Sequence, residues 1–263
     1  MTRSIPPNQE HPSLLRFIRR TNEGMQRPPV FEADDGFEYV LKLDVADPDF
    51  PAAELVAAGL AGPLGIPLPP YRVLAVSEVL SGALVATADA DMVEFAQSFL
   101  RRANTCFGSR YLGGVTVKWE PRLRRAVMDA DRLLARLLVF DAFIENGDRS
   151  AATNPNLLVS NGQLYAIDHG QALPSVQGIT GKSLVFPFDS HLSWQTVQEQ
   201  PDLLAGPIAA LRALPDAAIA AAVEAVPATW WTAPGRPAAV ALALRHRRDQ
   251  LPDMLERLVE PRR

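Results

Sequence analysis

The stretch 143-FIENGDRSAATNPNLLVSNGQLYAIDHG-170 sets a run of amide, carboxylate and hydroxyl side chains between an apolar helical segment ending at Phe143 and a short alternating segment around Leu164 to Ile167. Asn, Asp and Gly form turns in their own right, because Gly adopts positive φ and Asn and Asp bond their own backbone. The same oxygens are also hard ligands. Mg2+ takes one or two of them and completes its shell with water and substrate phosphates. The order of the residues bears on the choice. "NLLV" (156–159) and "QLYAID" (163–168) are apolar strands joined by "SNG", a hairpin signal, and a hairpin brings its outer ends, Asn156 and Asp168, side by side. The preceding helix, Asp129 to Glu145, carries Leu133, Leu137, Phe140 and Ile144 on one stripe and delivers Asp148 toward that pair. Asn154 is a rival to Asn156 as a ligand.

Upstream, "PVFEADDGFEYVLKL" (29–43) alternates apolar and polar residues on either side of "DDG", the pattern of a second hairpin. Its return strand points Tyr39, Leu41 and Leu43 one way and Val40 and Lys42 the other. A lysine in a strand interior needs an anionic partner, which Glu54, early in the helix expected over 52–64, can supply; the alternative is a lysine snorkelling at the sheet edge. Farther on, "YRVLAVSEVLSGALVATA" (71–88) has the composition of two β-rich segments and "DADMVEFAQSFLRRA" (89–103) that of an amphipathic helix. "NTCFGSRYLGGVTVKW" (104–119) is Gly-rich and reads as a hinge or loop. After Pro187 the chain is helical and rich in Ala and Leu. The expected divisions are residues 1–28 as an N-terminal arm and first helix, 29–103 as a β-rich lobe, and 104–263 as a helical lobe.

The totals set limits. A chain of 263 residues with 48% hydrophobic composition buries a real core. Net charge is −4, so neither nucleic acid nor an anionic membrane is an expected partner; "RHRR" (245–248) is a lone basic patch. The single cysteine, Cys106, excludes an intramolecular disulfide framework, and no uninterrupted apolar run indicates a spanning helix. A cytoplasmic location is expected. His169 and His191 lack a partner set at metal-ligand spacing and are expected to be structural. Arg149 has three readings: holding a loop carboxylate, reaching substrate, or solvated.

Taken in order, a strand lysine, a helix glutamate, an Asp followed by an Asn, and an Asp followed by X-Gly resemble the protein-kinase series. "VFDAFIENGDR", "NPNLLV", "AIDHGQAL" and "FGSRYLGG" look closer to the HipA-like kinases, and more distantly to type II phosphatidylinositol 4-kinases. The similarity spans roughly Val30 to Leu173. It implies an α+β, bilobal, protein-kinase-like fold with a β-rich N-lobe, a helical C-lobe and ATP between them. By the same resemblance Lys42 would hold the α/β-phosphates, Glu54 would orient it, Gly24 would provide phosphate cover, Asp148 would accept the proton of the attacking hydroxyl, and Asn156 and Asp168 would bind Mg2+. The implied reaction is transfer of the ATP γ-phosphoryl group to a hydroxyl of a protein Ser/Thr or a small molecule. Two departures, an Asp-to-Asn spacing of eight rather than five and no glycine-rich loop, define the alternative: an inactive kinase fold used for binding, as in a toxin–antitoxin-like pair. A metal-dependent hydrolase is disfavoured because no His-rich or two-metal ligand set accompanies the cluster.

Overall fold

The alternation at 29–42 has the consequence its period requires. In strands β2 (Pro29–Ala33) and β3 (Glu38–Lys42), Phe31, Tyr39 and Leu41 are buried while Val40 and Lys42 are only half-buried. Gly36, at φ +83°, turns the chain between them, and the Asp35 carboxylate accepts from the Phe37 N–H at 3.1 Å. The computed structural model describes residues 11–21, 27–42, 49–86, 93, 96–97, 104–113, 115–116, 127, 129–150, 155–173 and 186–259. The chain divides into two units. One comprises Met1–Ala52, Pro69–Gly113 and Ala228–Thr232; the other comprises Ala53–Leu68, Gly114–Pro227 and Ala233–Arg263.

The first unit is strand-rich. With β1 (Ser13–Arg20), β4 (Tyr71–Val76) and β5 (Thr105–Arg110), it closes a barrel in the order β1-β2-β3-β5-β4, antiparallel except where β1 meets β4. Its core contains Leu14, Phe31, Tyr39, Leu41, Leu74, Val76 and Cys106, so the one cysteine is a packed apolar group. Trp230 is buried in this unit and donates from Nε1 to Thr105 Oγ1 at 2.8 Å.

Three local expectations are corrected. Ser13–Arg20 is a strand, not a first helix: "LLRFIRR" satisfies either period, and cross-strand partners decide it, with Arg16 on Glu32 and Arg19 on Glu38 at 2.7 Å each. Residues Thr105–Arg110 are a strand central to the barrel, not a hinge, and they join the strand-rich unit rather than the helical part expected from residue 104. The second of the β-rich segments is helix α2 (Glu78–Val85), because Ser77 caps it by accepting from the Leu80 N–H at 3.1 Å. The amphipathic helix expected over 89–103 falls mostly outside the described residues.

Gly108 accounts for the loop-like composition of β5. A Cβ there would lie 2.3 Å from Leu74 Cδ1 and 3.2 Å from Tyr39 Cβ, so the glycine marks close approach inside the barrel and not a turn. Gly108→Ala is expected to lower stability by about 1–3 kcal/mol through overpacking. An unchanged denaturant midpoint would show that the barrel does not close around this position.

The second unit is mainly helical: α3 (Ala130–Ile144), α4 (Trp194–Glu199), α5 (Ala205–Arg212), α6 (Asp216–Glu224) and α7 (Arg236–Val259). It also holds the small sheet β6 (Val115–Thr116), β7 (Leu157–Ser160) and β8 (Gln163–Ala166). All but the first turn of α1 (Phe50–Ala61) belongs here, and its Gly59 lies so close to Ala222 of α6 that a Cβ would meet the alanine Cβ at 3.0 Å. The α+β division expected from the sequence is therefore present.

Candidate functional site

The β7–β8 hairpin forms as its turn residues require. Asn161 and Gly162, at φ +51° and +74°, make a two-residue connection, and the register pairs Ser160 with Gln163 and Leu157 with Ala166. The ladder ends where Asn156 O accepts the Ile167 N–H at 3.0 Å, one residue before Asp168. Asn156 and Asp168 therefore flank the open end of the hairpin. Both have left-handed backbones, φ +48° and +64°, a conformation that Asn and Asp tolerate better than other non-glycine residues. Such outliers cluster where a site over-determines its geometry.

Helix α3 brings up the third residue. It ends in an αL cap at Glu145, φ +58°, and three residues later the Asp148 Oδ2 accepts from Asn156 Nδ2 at 3.0 Å. An amide plane that points its nitrogen at a carboxylate turns its Oδ1 the other way, leaving an acceptor oxygen for a cation. Asp148 thus meets Asn156, and Asn156 and Asp168 stand at the same end of the hairpin. The rival Asn154 and the glycine Gly24 lie outside the described residues. Lys42 is on β3 of the strand-rich unit, paired in register with Phe107.

Beneath this cluster lies a buried polar network that spacing alone did not reveal. Arg149 is fully buried and uses all three nitrogens. Nε donates to Asp141 Oδ2 at 2.6 Å, Nη1 to the carbonyls of Pro155 and Asn156 at 3.1 and 2.5 Å, and Nη2 to His169 Nε2 at 3.0 Å. It therefore ties α3, the loop after Asp148, the start of β7 and the Asp168-His169-Gly170 turn together. The solvated and substrate-reaching readings of Arg149 are corrected, and the carboxylate it holds belongs to a helix rather than a loop. A guanidinium only donates, so His169 accepts at Nε2 and carries its proton on Nδ1, the atom 3.9 Å from Glu54 Oε2.

Asp141, on the buried face of α3, receives Asn146 Nδ2 at 3.0 Å and His191 Nε2 at 3.0 Å besides Arg149. His191 Nδ1 accepts the Ser193 N–H at 3.1 Å, which fixes its Nε2–H tautomer. Both histidines are thus structural, as expected. Burial alone would push the Asp141 carboxyl up, but the Arg149 charge and the His191 hydrogen bond outweigh it and hold the group well below the usual carboxylate range. Burial pushes His191 down, against the opposing pull of Asp141. The sequence signal was available only in part: an Asp inside the apolar face of a helix requires a partner, but nothing local names it.

A pH dependence follows from these directions. The folded state binds a proton at His191 less readily than the unfolded chain, so stability present above about pH 6.5 is lost as pH falls toward the depressed value. Depression at Asp141 adds a second loss as pH falls below the ordinary carboxylate range. Denaturant midpoints measured from pH 7.5 to 5 should fall less steeply for His191→Gln than for the wild-type protein. Equal slopes would refute the assignment.

In "RHRR", Arg245 lies 3.5 Å from Asp216 and Arg248 bonds Asp216 and Asp249, which ties both to the start of α6, while Arg247 is buried against the end of α3. The donor set at the hairpin end, one amide oxygen and one carboxylate, fits a hard cation that keeps water and phosphate in its shell. Among the described residues no group of three His, Cys, Asp or Glu stands ready to enclose a metal by itself.

A search of curated proteins found no match. A family model described as HipA-like kinase matches residues 14–260, nearly the whole chain, and covers the strand-rich and helical parts alike. The α+β architecture is therefore kinase-like, and the resemblance stated from the central motifs holds over both units. The chain belongs to the HipA-like kinase family, and membership implies a phosphotransferase of kinase fold that uses ATP.

Proposed function

We propose that this protein is a Mg2+-dependent kinase that transfers the γ-phosphoryl group of ATP to a hydroxyl of a protein Ser/Thr or a small molecule. The observation that carries the reading is the 3.0 Å hydrogen bond from Asn156 to Asp148 at the open end of the hairpin that also presents Asp168. It supports the assignment of Asp148 as the group that orients the attacking hydroxyl and accepts its proton, with Asn156 Oδ1 and Asp168 holding Mg2+. When bound, the metal neutralises charge on the phosphoryl oxygens. Lys42 contacts the α/β-phosphates in this reading.

The remaining chemistry is positioning. Phosphoryl transfer asks for little covalent work from the protein, so rate depends on a hydroxyl held in line and on fixed charges around it. Arg149 supplies that rigidity by clamping the carbonyls of Pro155 and Asn156 from below. The eight-residue spacing from Asp148 to Asn156 does not prevent the two side chains from meeting, which supports an active enzyme over an inactive binding fold.

A thermal shift with ATP and Mg2+, alongside a phosphotransfer assay, tests the reading. Ligand that binds only the native state raises the melting temperature by mass action, so wild type should shift and Asp168→Ala should not. A shift without transfer to any hydroxyl acceptor would favour the inactive fold. No shift in either protein would remove the nucleotide site.

A further inference from the structure

The last four carbonyls of a helix lack intrahelical partners, and when buried they must find donors elsewhere. The end of α3, three residues before Asp148, shows where each goes. Asp141 O accepts from the N–H groups of Glu145 and Asn146, the latter at 2.8 Å. Ile144 O accepts from the Leu173 N–H at 2.9 Å, beyond the Asp168-His169-Gly170 turn. Ala142 O and Phe143 O are capped by Arg247 of α7: its Nε lies 3.2 Å from the first and 3.0 Å from the second, and its Nη2 also bonds Ala142 O. The Arg247 Nη1 is 3.5 Å from the Glu145 carboxylate, and the residue is almost wholly buried.

Resting on the kinase reading above, we propose that Arg247 is a positioning residue for Asp148, through which the C-terminal helix sets the geometry of the catalytic loop. The loop needs such a fix because Glu145 ends α3 in the left-handed conformation that glycine usually provides, and Gly147, two residues on, precedes Asp148. A cation at a helix C-terminus also complements the helix dipole. Docking of α7 does not rest on this contact alone. Val240, Leu244, Leu251 and Leu255 bury its apolar face, and Arg212 of α5 bonds Asp253 and Glu256 on its outer side. The guanidinium is therefore free to act on α3.

The test compares kcat and KM for ATP in wild type, Arg247→Met, Arg247→Lys and Arg212→Met, together with amide hydrogen exchange at residues 145–149. Misplacing a reacting group by about 1 Å costs on the order of a hundred-fold, so Arg247→Met should lower kcat by about that factor with KM nearly unchanged. Arg247→Lys should recover part of the rate, because an ammonium keeps the charge but cannot span two carbonyls as the planar fork does. Arg212→Met loosens α7 from outside and should leave kcat alone. Exchange at Asn146 to Arg149 should quicken in Arg247→Met and not in Arg212→Met. A folded Arg247→Met with wild-type kcat and exchange overturns the proposal; if that variant does not fold, wild-type kcat in Arg247→Lys does so. A wild-type protein that transfers no phosphoryl group instead refutes the kinase reading, and the exchange data still decide whether Arg247 holds the loop.

Discussion

Arg149→Met is expected to destabilise the protein by about 3–5 kcal/mol, because it strands the Asp141 carboxylate, fully buried, without its cation. Asp141→Leu should do comparable damage by leaving the guanidinium unpaired. Removing both charges is a different matter. A buried ion pair replaced by apolar residues of similar volume is often close to neutral, so the double variant Asp141→Leu/Arg149→Met should regain much of the lost stability. Phosphotransfer should not return with it, since the carbonyls of Pro155 and Asn156 and the ring of His169 lose their donor in every variant lacking Arg149. Urea unfolding of the four proteins gives the coupling energy. A double variant as unstable as the sum of the singles, or one that is fully active, would show that the network does something other than lock the loop.

Asp148→Asn carries the largest expected effect on rate. The substitution keeps shape, and an amide oxygen at this position still accepts from Asn156 Nδ2, so the fold and the Asn156 orientation should persist. What is lost is the proton acceptor, and kcat should fall by about 10²–10⁴-fold while the thermal shift with ATP and Mg2+ is retained. Retained transfer would separate the family assignment from the role given to this carboxylate. Loss of the shift as well would instead place Asp148 among the groups that hold the nucleotide or its metal.

Much of the site was legible because its determinants are local. Asn161-Gly162 specifies a tight turn whatever surrounds it, and a tight turn with two four-residue strands necessarily sets Asn156 near Asp168. The stripe Leu133, Leu137, Phe140, Ile144 likewise predicted α3 to within a residue at either end. The alternation around Lys42 gave β3 its faces. Misreadings arose where one pattern serves two structures. "LLRFIRR" suits a helix or a strand, and Gly108 suits a hinge or a crowded barrel interior.

What the sequence determined by itself was the set of chemical groups, their order, and the two hairpins that present Lys42, Asn156 and Asp168, since turn chemistry and side-chain alternation act within a few residues. Only the tertiary structure decided how those groups are held. Asp141 meets His191 across 50 positions, Arg149 meets His169 across 20, and Arg247 reaches Ala142 across 105. Such partners are selected by burial: a charge or carbonyl taken out of water must find the opposite group wherever the fold brings one, and short-range pattern carries no record of that choice.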